Sequence, residues 1–535
     1  MLKTALVLIG PVLLSLTLAA CGSSGSSNAG VTPGTGAPVA GKSTDMMLVS
    51  KVDGEAISFT IHEPTTMRAD GKYPLILQSH GYGGTKEDAA KRPTLSALYK
   101  GFLDRGYGFI SIDERGHGDS GGTIRILEPE KEGQDLLQII DWAEANLPWL
   151  AYRDGNLLLG ATGGSYGGGF QHLVYAIDPK HRLDAIAPEI TWNDLRYSLF
   201  NGGHHEDYSN GVFKTFWVGL LSAAGNAAGG GGNVDPEVNE GLVQGLTMNS
   251  LDDEKKALLY KNSLASYCAG KNPNGTLTKI DALYWQSPHD TLFNLTEAVR
   301  NFECVSAKGG DVRLLTKIGG HDSLAGGGSG EFCGKLKKDI AILDWYDEKL
   351  KGVSGKAAYI PKFCWHMDAS ADDGVVTTTL PTASTALQMP AQTLALQDGS
   401  VQTSSIVLMK IGAGGAVLAG IPTIDLQIGD MVPTAPEVGD PIVFVALAKR
   451  AAGATSDTLL MGNQVTPFRG YGSFKQQLIG VTSRLNENDE LRLVVQASYA
   501  LRYAGSGSDA LTPVSVEATV NLPLLPGNLP AAPAN

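Results

Sequence analysis

The stretch Leu157-Leu158-Leu159-Gly160-Ala161-Thr162-Gly163-Gly164-Ser165-Tyr166-Gly167-Gly168-Gly169-Phe170-Gln171-His172-Leu173-Val174-Tyr175-Ala176 reads as strand, sharp turn and helix. An apolar run leads in, a turn dense in glycine carries one serine, and a second apolar run leads out. A serine can be held on a strained backbone between a strand and a helix that pass close together only if its neighbours carry almost no side chain. Gly163 and Gly167 supply that in a Gly-x-Ser-x-Gly frame, and Gly164 and Gly168 relax it further. A glycine-rich loop that happens to contain a serine is the plainer reading of such a frame. The strand before and the helix after favour Ser165 as a nucleophile.

On the N-terminal side, alternation over Thr44 to Glu63 predicts an antiparallel hairpin. Buried strands are expected over Tyr73 to Ser79 and Tyr107 to Asp113, and helices over about Ala89 to Arg105 and Glu132 to Asn146. On the C-terminal side, strands are expected at Leu183 to Ile190, Ile280 to Ser287 and, last, Val312 to Ile318. Strands alternating with helices of this length give a mostly parallel sheet covered on both faces. The segment Thr191 to Thr278 interrupts the pattern and reads as an inserted cap.

Reactive groups in such sheets gather at the carboxyl ends of the strands. Asp290, in Pro288-His289-Asp290-Thr291-Leu292-Phe293, and His321, in Gly319-Gly320-His321-Asp322, each follow a predicted strand directly. Serine is a weak nucleophile until an imidazole takes its proton, and the imidazole needs a carboxylate to fix its tautomer and stabilise its cation. Ser165, Asp290 and His321 stand in the chain order of the α/β-hydrolase triad. A solvated loop aspartate and a surface histidine are the bland readings of the last two, and the three coincident placements count against them. His289 and His172 are weaker candidates for the base. His204-His205-Glu206-Asp207 is a weak metal cluster, since adjacent histidines on a loop rarely converge on one ion. Asp113 and Asp322 read as structural carboxylates. The tetrahedral oxyanion needs two donors: the backbone N–H of Tyr166 is one, and Tyr82, after the early strand in His80-Gly81-Tyr82, offers a backbone or hydroxyl donor as the second.

These residues, with Asp113-Glu114-Arg115-Gly116 through Ser120-Gly121-Gly122, Trp192-Asn193-Asp194-Leu195 and Gly320-His321, resemble the X-prolyl dipeptidyl-peptidase and cocaine-esterase type of α/β-hydrolase. The resemblance implies that Ser165 is the nucleophile and that Tyr82 lends its hydroxyl to the oxyanion hole. His80-Gly81 differs from the residues usual before that tyrosine in the esterase, which leaves hydroxyl and backbone both open. Beyond Trp365, short β-rich runs such as Thr377-Thr378-Thr379, Ser405 to Leu408, Thr423 to Ile428, Ile442 to Leu447, Leu491 to Val495 and Val514 to Ala518 predict a sandwich. Asp440 to Phe444, Gln464 to Gly470 and Gly480 to Leu485 look like the family's C-terminal jelly roll, to which packing and cleft shaping are assigned; a generic carbohydrate-binding sandwich is its plainer reading.

Composition sets the outer limits. The chain of 535 residues, 43% hydrophobic and 18% charged, is long enough for two or three globular domains. Its formal net charge of −13, with no basic stripe, argues against a nucleic-acid partner. Lys3 followed by Leu6 to Leu14 and Leu18-Ala19-Ala20-Cys21 reads as an export signal, too short for a typical membrane span. Leu-Ala-Ala-Cys before Gly22-Ser23-Ser24 resembles the bacterial lipobox, which implies lipidation of Cys21. The other four cysteines, Cys268, Cys304, Cys333 and Cys364, are expected to form two disulfides, with three pairings open.

The expected organisation is therefore a signal peptide over 1–20, a Ser/Gly/Pro-rich tether over 21–43, an α/β-hydrolase domain over 44–365 with a cap at about 191–278, and an all-β jelly-roll sandwich over 366–535. The expected activity is acyl transfer from ester or amide substrates through Ser165, His321 and Asp290, without metal or organic cofactor. The expected location is a bacterial cell envelope, held by the N-terminal lipid alone. Release of X-prolyl dipeptides is the nearest alternative; it needs an acid for the substrate ammonium, with Asp194, Glu206 and Asp207 as candidates. A non-catalytic surface binding protein on the same fold is a more distant one. The oligomeric state is open.

Overall fold

The computed structural model describes residues 36–201, 208, 211–321, 331–367, 372–394, 396–397, 400–401, 403–430, 441–497, 503 and 513–535. Ten strands form its large sheet: β1 Ser43–Val49, β2 Ala56–His62, β3 Leu75–Ser79, β4 Gly108–Ile112, β5 Leu159–Gly164, β6 Leu183–Glu189, β7 Asp281–Gln286, β8 Val312–Thr316, β9 Phe363–His366 and β10 Gly374–Thr377. Their spatial order is β1-β2-β4-β3-β5-β6-β7-β8-β9-β10. The seven from β4 to β9 are parallel, and the hairpin β1–β2 and strand β10 add antiparallel edges. The chain runs outward from β3 to β4, then returns to lay β5 on β3's other side. That switch point is where open α/β sheets place their sites.

Both faces of the parallel strands are buried, so they read as continuous apolar runs and not as alternation. Leu75, Leu77, Leu159, Tyr284 and Leu314 face one core, while Ile76, Phe109, Leu283, Trp285 and Leu315 face the other. The helices covering them are α1 Ala97–Asp104, α2 Glu132–Asn146, α3 Tyr166–Ile177, α9 Leu295–Ser306 and α10 Lys338–Lys349. Between β6 and β7 the chain inserts α4 Leu195–Leu199, α5 Thr215–Ala227, α6 Pro236–Met248, α7 Asp253–Lys261 and α8 Leu264–Cys268.

Three local expectations are corrected. The strand before the serine runs on to Gly164, because Gly160 to Gly164 pair in register with Ala185 to Glu189; Gly160 also packs under Tyr346, where a Cβ would come within 2.4 Å of the ring. The helix expected over 89–105 is a 3-10 turn, Ala89–Thr94, containing Pro93, and then α1, whose N-cap Ser96 accepts the Tyr99 N–H at 3.3 Å. The large sheet does not end with Val312 to Ile318. Phe363–His366 adds a further parallel strand, and Gly374–Thr377, which ends where the expected sandwich run Thr377-Thr378-Thr379 begins, pairs antiparallel with it. Short strands whose partners are remote in sequence give no periodic signal of their own.

Among the described residues, the regular elements of the C-terminal region are β-strands apart from one four-residue helical turn, Leu460–Asn463. Thr385–Leu394, Val514–Leu522, Thr423–Asp430 and Gly472–Gln477 make one antiparallel sheet, and Thr403–Lys410, Glu490–Gln496 and Ile442–Arg450 make the body of another. Leu426, Val443, Val445, Leu493, Val495, Val516 and Val520 fill the layer between them, a β-sandwich. This sandwich docks on the large-sheet unit through Gly480 N–H to Thr296 Oγ1 at 2.9 Å, Arg300 to Gln477 at 2.7 Å, and Gln464 to the Pro288 carbonyl at 2.8 Å. Of the three cysteine pairings open from sequence, the structure has Cys268–Cys304 and Cys333–Cys364.

Candidate active site

Ser165 stands between β5 and α3 at φ 58°, ψ −119°, a combination that L-residues avoid and that costs on the order of 1–3 kcal/mol. Packing holds it there. A Cβ on Gly167 would lie 2.2 Å from the Ser79 carbonyl oxygen, and one on Gly163 would lie 2.6 Å from that of Gly167. The Ser165 N–H donates to the Glu189 carbonyl at 2.9 Å, and its own carbonyl accepts Thr191 Oγ1 at 2.9 Å. The serine is therefore presented, half-buried, at the carboxyl edge of the sheet, ahead of a helix whose first N–H groups have no intrahelical acceptor. Tyr166 contributes the first of these.

Asp290 and His321 follow neighbouring parallel strands, β7 and β8, at the same edge. Asp290 is fully buried, and its Oδ2 accepts from His321 Nδ1. Its Oδ1 takes the N–H groups of Leu292 and Phe293, each at 2.9 Å. The absence of a side chain on Gly320 lets the histidine turn close over this loop: a Cβ there would be 3.1 Å from Asp290 Cα. Phe293 and Trp217 meet the imidazole edge-to-face at 5.1 and 5.9 Å. His321 Nε2 is buried and has no hydrogen-bond partner among the described residues. An imidazole with Nδ1 on a carboxylate and a vacant, desolvated Nε2 is arranged to take a proton from a hydroxyl.

The Tyr82 ring packs edge-to-face on Tyr166 and His117 at 5.3 and 5.5 Å. Its hydroxyl reaches the inserted helix α5, where a Cβ on Gly225 would come within 2.4 Å of it. Burial raises that hydroxyl above its ordinary pKa, so it stays protonated and remains a donor. Behind it lies a buried polar cluster drawn from the His80-Gly81-Tyr82 and Asp113 to Gly122 stretches; apart from Asp113 as a structural carboxylate, the sequence reading assigns its side chains no role. Burial pushes His80 down to about 4 and His117 down to about 3. Burial, assisted by the carboxylates of Glu132, Asp135 and Asp113, pushes Glu114 up to about 8. Glu114 Oε1 and His117 Nε2 make no hydrogen bond among the described residues.

The remaining candidates fall elsewhere. His172 is buried on Tyr284 Oη at 3.1 Å, and burial lowers it to about 3. Asp113 is bound to Lys86 at 2.8 Å. Asp194 is engaged by Arg196, at 2.7 and 3.0 Å, whose guanidinium lies over Tyr208 and Tyr260. His204, His205, Glu206, Asp207, Asp322 and Cys21 lie outside the described residues. Three groups that the sequence reading missed touch the site. Lys214 and Trp217 come from the insertion, and Glu189 holds the Ser165 amide by its carbonyl while its carboxylate binds Lys317 and Lys338, which keep it well below the usual range despite burial. None sits in a motif; each is brought in by the fold.

Residues 53–323 match the X-Pro dipeptidyl-peptidase family, S15. Among curated proteins, an uncharacterized 31.7 kDa protein of Escherichia coli from the traX-finO intergenic region is 28% identical over 142 residues, 26% of this chain and 44% of that protein. The quorum-quenching protein AidA of Acinetobacter baumannii is 31% identical over 140 residues, 25% of this chain and 40% of that protein. The chain thus spans under half the length of the curated relatives it matches. Among solved structures, a CocE/NonD family hydrolase from Staphylococcus aureus superposes with TM-score 0.61 at 14% identity, over 91% of this chain and 97% of that one. An aminopeptidase from a marine sediment thaumarchaeon gives 0.62 at 12%, over 94% and 99%. An α-amino acid ester hydrolase gives 0.59 at 14%, over 93% and 99%. At these identities the likeness shows the fold: an α/β-hydrolase with a C-terminal β-sandwich.

Proposed function

Because the chain belongs to the X-Pro dipeptidyl-peptidase (S15) family, we propose that it is a serine hydrolase that cleaves acyl bonds through Ser165, His321 and Asp290. The observation that carries this reading is the imidazole of His321, tied by Nδ1 to Asp290, its buried Nε2 without a hydrogen-bond partner among the described residues, at the sheet edge that bears Ser165. Ser165 Oγ attacks the substrate carbonyl as Nε2 takes its proton. Asp290 stabilises the imidazolium. The Tyr166 N–H and Tyr82 receive the developing oxyanion, with the Tyr82 hydroxyl available as donor. The imidazolium then protonates the leaving group, and water repeats the sequence on the acyl-enzyme.

Esters are the substrates this reading favours. A dipeptidyl-peptidase needs a carboxylate for the free ammonium, and of the three candidates the one among the described residues, Asp194, is already paired with Arg196. Turnover of a short-chain p-nitrophenyl ester that disappears in Ser165→Ala is the expected result. Hydrolysis of Gly-Pro-p-nitroanilide, lost in the same variant, moves the assignment to dipeptidyl-peptidase, and labelling of neither protein by a serine-directed phosphonate overturns the hydrolase reading. We further propose that the protein is exported and held in the cell envelope by lipidated Cys21. Cys21→Ala is expected to leave the membrane fraction; continued association refutes the anchor.

A further inference from the structure

The Asp290 carboxylate is held by its own loop through two consecutive peptide groups. The Leu292 N–H belongs to the same planar unit as the Thr291 carbonyl, and the Phe293 N–H to the same unit as the Leu292 carbonyl. Both N–H groups donate to Asp290 Oδ1 at 2.9 Å. At the opposite ends of these two units, Lys214 Nζ donates to the Thr291 and Leu292 carbonyl oxygens at 3.1 and 3.2 Å. Lys214 is 2% exposed and stands at the N-cap of α5, inside the insertion. One turn on, Trp217 Nε1 donates to Thr291 Oγ1 at 3.1 Å, while its ring meets His321.

We propose that Lys214 is a positioning residue for the hydrolytic reaction: its ammonium polarises the two peptide groups that grip Asp290 Oδ1, which turns Oδ2 toward His321. The inference rests on the triad reading above. A cation on a carbonyl oxygen makes the N–H across the same amide a stronger donor, and in a buried loop such chains reinforce one another. Fixing Oδ1 leaves Oδ2 a single orientation, toward Nδ1 of the base. The inserted helix thereby acts on the acid directly, in addition to roofing the cleft. Lys214 acts through this loop, on the orientation of the carboxylate.

The test uses the full chain and a p-nitrophenyl ester, with Lys214→Met, Lys214→Gln and Lys214→Arg beside Ser165→Ala. Lys214→Met is expected to lower kcat about 10- to 100-fold, the range of a hydrogen bond to a charged group, with KM within about twofold of wild type. Lys214→Gln keeps a neutral donor of lower cost to folding and is expected to fall between; Lys214→Arg, which keeps the charge, is expected to recover most of the rate. The far-downfield proton resonance of the Asp290–His321 hydrogen bond is expected to shift or broaden in Lys214→Met and Lys214→Gln and to stay in place in Lys214→Arg. Folded Lys214→Met or Lys214→Gln with wild-type kcat, or with an unmoved resonance, overturns the role, as does a change confined to KM. Activity surviving in Ser165→Ala would instead overturn the triad reading, and this inference with it. Loss in Ser165→Ala beside full activity in Lys214→Gln overturns the Lys214 role alone.

Discussion

The two halves of the candidate site are built by different physics. The elbow around Ser165 is held by steric exclusion: Gly163 and Gly167 allow β3, β5 and α3 to approach until backbone meets backbone, and the serine has nowhere else to go. The loop around Asp290 is held by hydrogen bonds, some local and some from afar. Gln286 Nε2 donates to the Phe293 carbonyl at 2.6 Å, Lys214 arrives from the insertion, and Gln464 reaches Pro288 from the sandwich. Steric positioning is short-range and all-or-none, whereas positioning by remote donors is graded and couples Asp290 to parts of the chain far from it in sequence.

The largest expected effects lie on the elbow. Ser165→Ala should lower kcat/KM by about 10^4-fold or more. Ser165→Gly should be equally inactive yet more stable than Ser165→Ala by about 1 kcal/mol in chemical denaturation, because glycine tolerates this φ and ψ; equal stability of the two would show that the turn is not strained. Gly167→Ala, with its Cβ forced onto the Ser79 carbonyl, should cost about 2–4 kcal/mol and most of the activity. A well-folded, active Gly167→Ala would break the contrast outright.

A smaller effect tests whether charge also matters beneath the elbow. Burial raises Glu114 from 4.5 to about 8, so its contribution to stability is full below pH 4.5 and is lost as the pH rises toward 8. Glu114→Gln removes that slope. Its thermal midpoint relative to wild type should rise between pH 5 and pH 8, by an amount corresponding to about 2–4 kcal/mol at most. A constant difference across that window means Glu114 is ionised throughout. The smallest effect concerns the sandwich: Gln464→Ala should cost about 1 kcal/mol and lower kcat a few-fold with KM unchanged. An unchanged kcat confines the sandwich to packing.

Much of this contrast parallels what the sequence makes legible. The elbow is local: strand, turn and helix occupy one continuous stretch, and the Gly-x-Ser-x-Gly spacing states its steric requirement openly. Asp290 and His321 are legible because each follows an apolar run that can only be a buried strand. The carboxylate's supports are not, since Lys214 and Gln464 lie 76 and 174 residues from Asp290 by subtraction and carry no periodic or motif signal. The same reason hides Glu189, an ordinary strand-end glutamate until Lys317 and Lys338 fold against it, and the strand β9, which exists as the partner of β8, 49 residues away by subtraction.

The sequence by itself therefore determined the alternation of strands and helices, the placement of Ser165, Asp290 and His321 each after a strand, the β-rich character of the C-terminal region, and the even set of cysteines, because each is a short-range pattern or a count. Only the tertiary structure decided the pairing of those cysteines, the commitment of Asp194 to Arg196, the burial that shifts Glu114, and the capture of the Asp290 loop from two sides. These depend on which remote groups a closed, low-dielectric interior brings within hydrogen-bond distance, and that is settled by packing, not by neighbours along the chain.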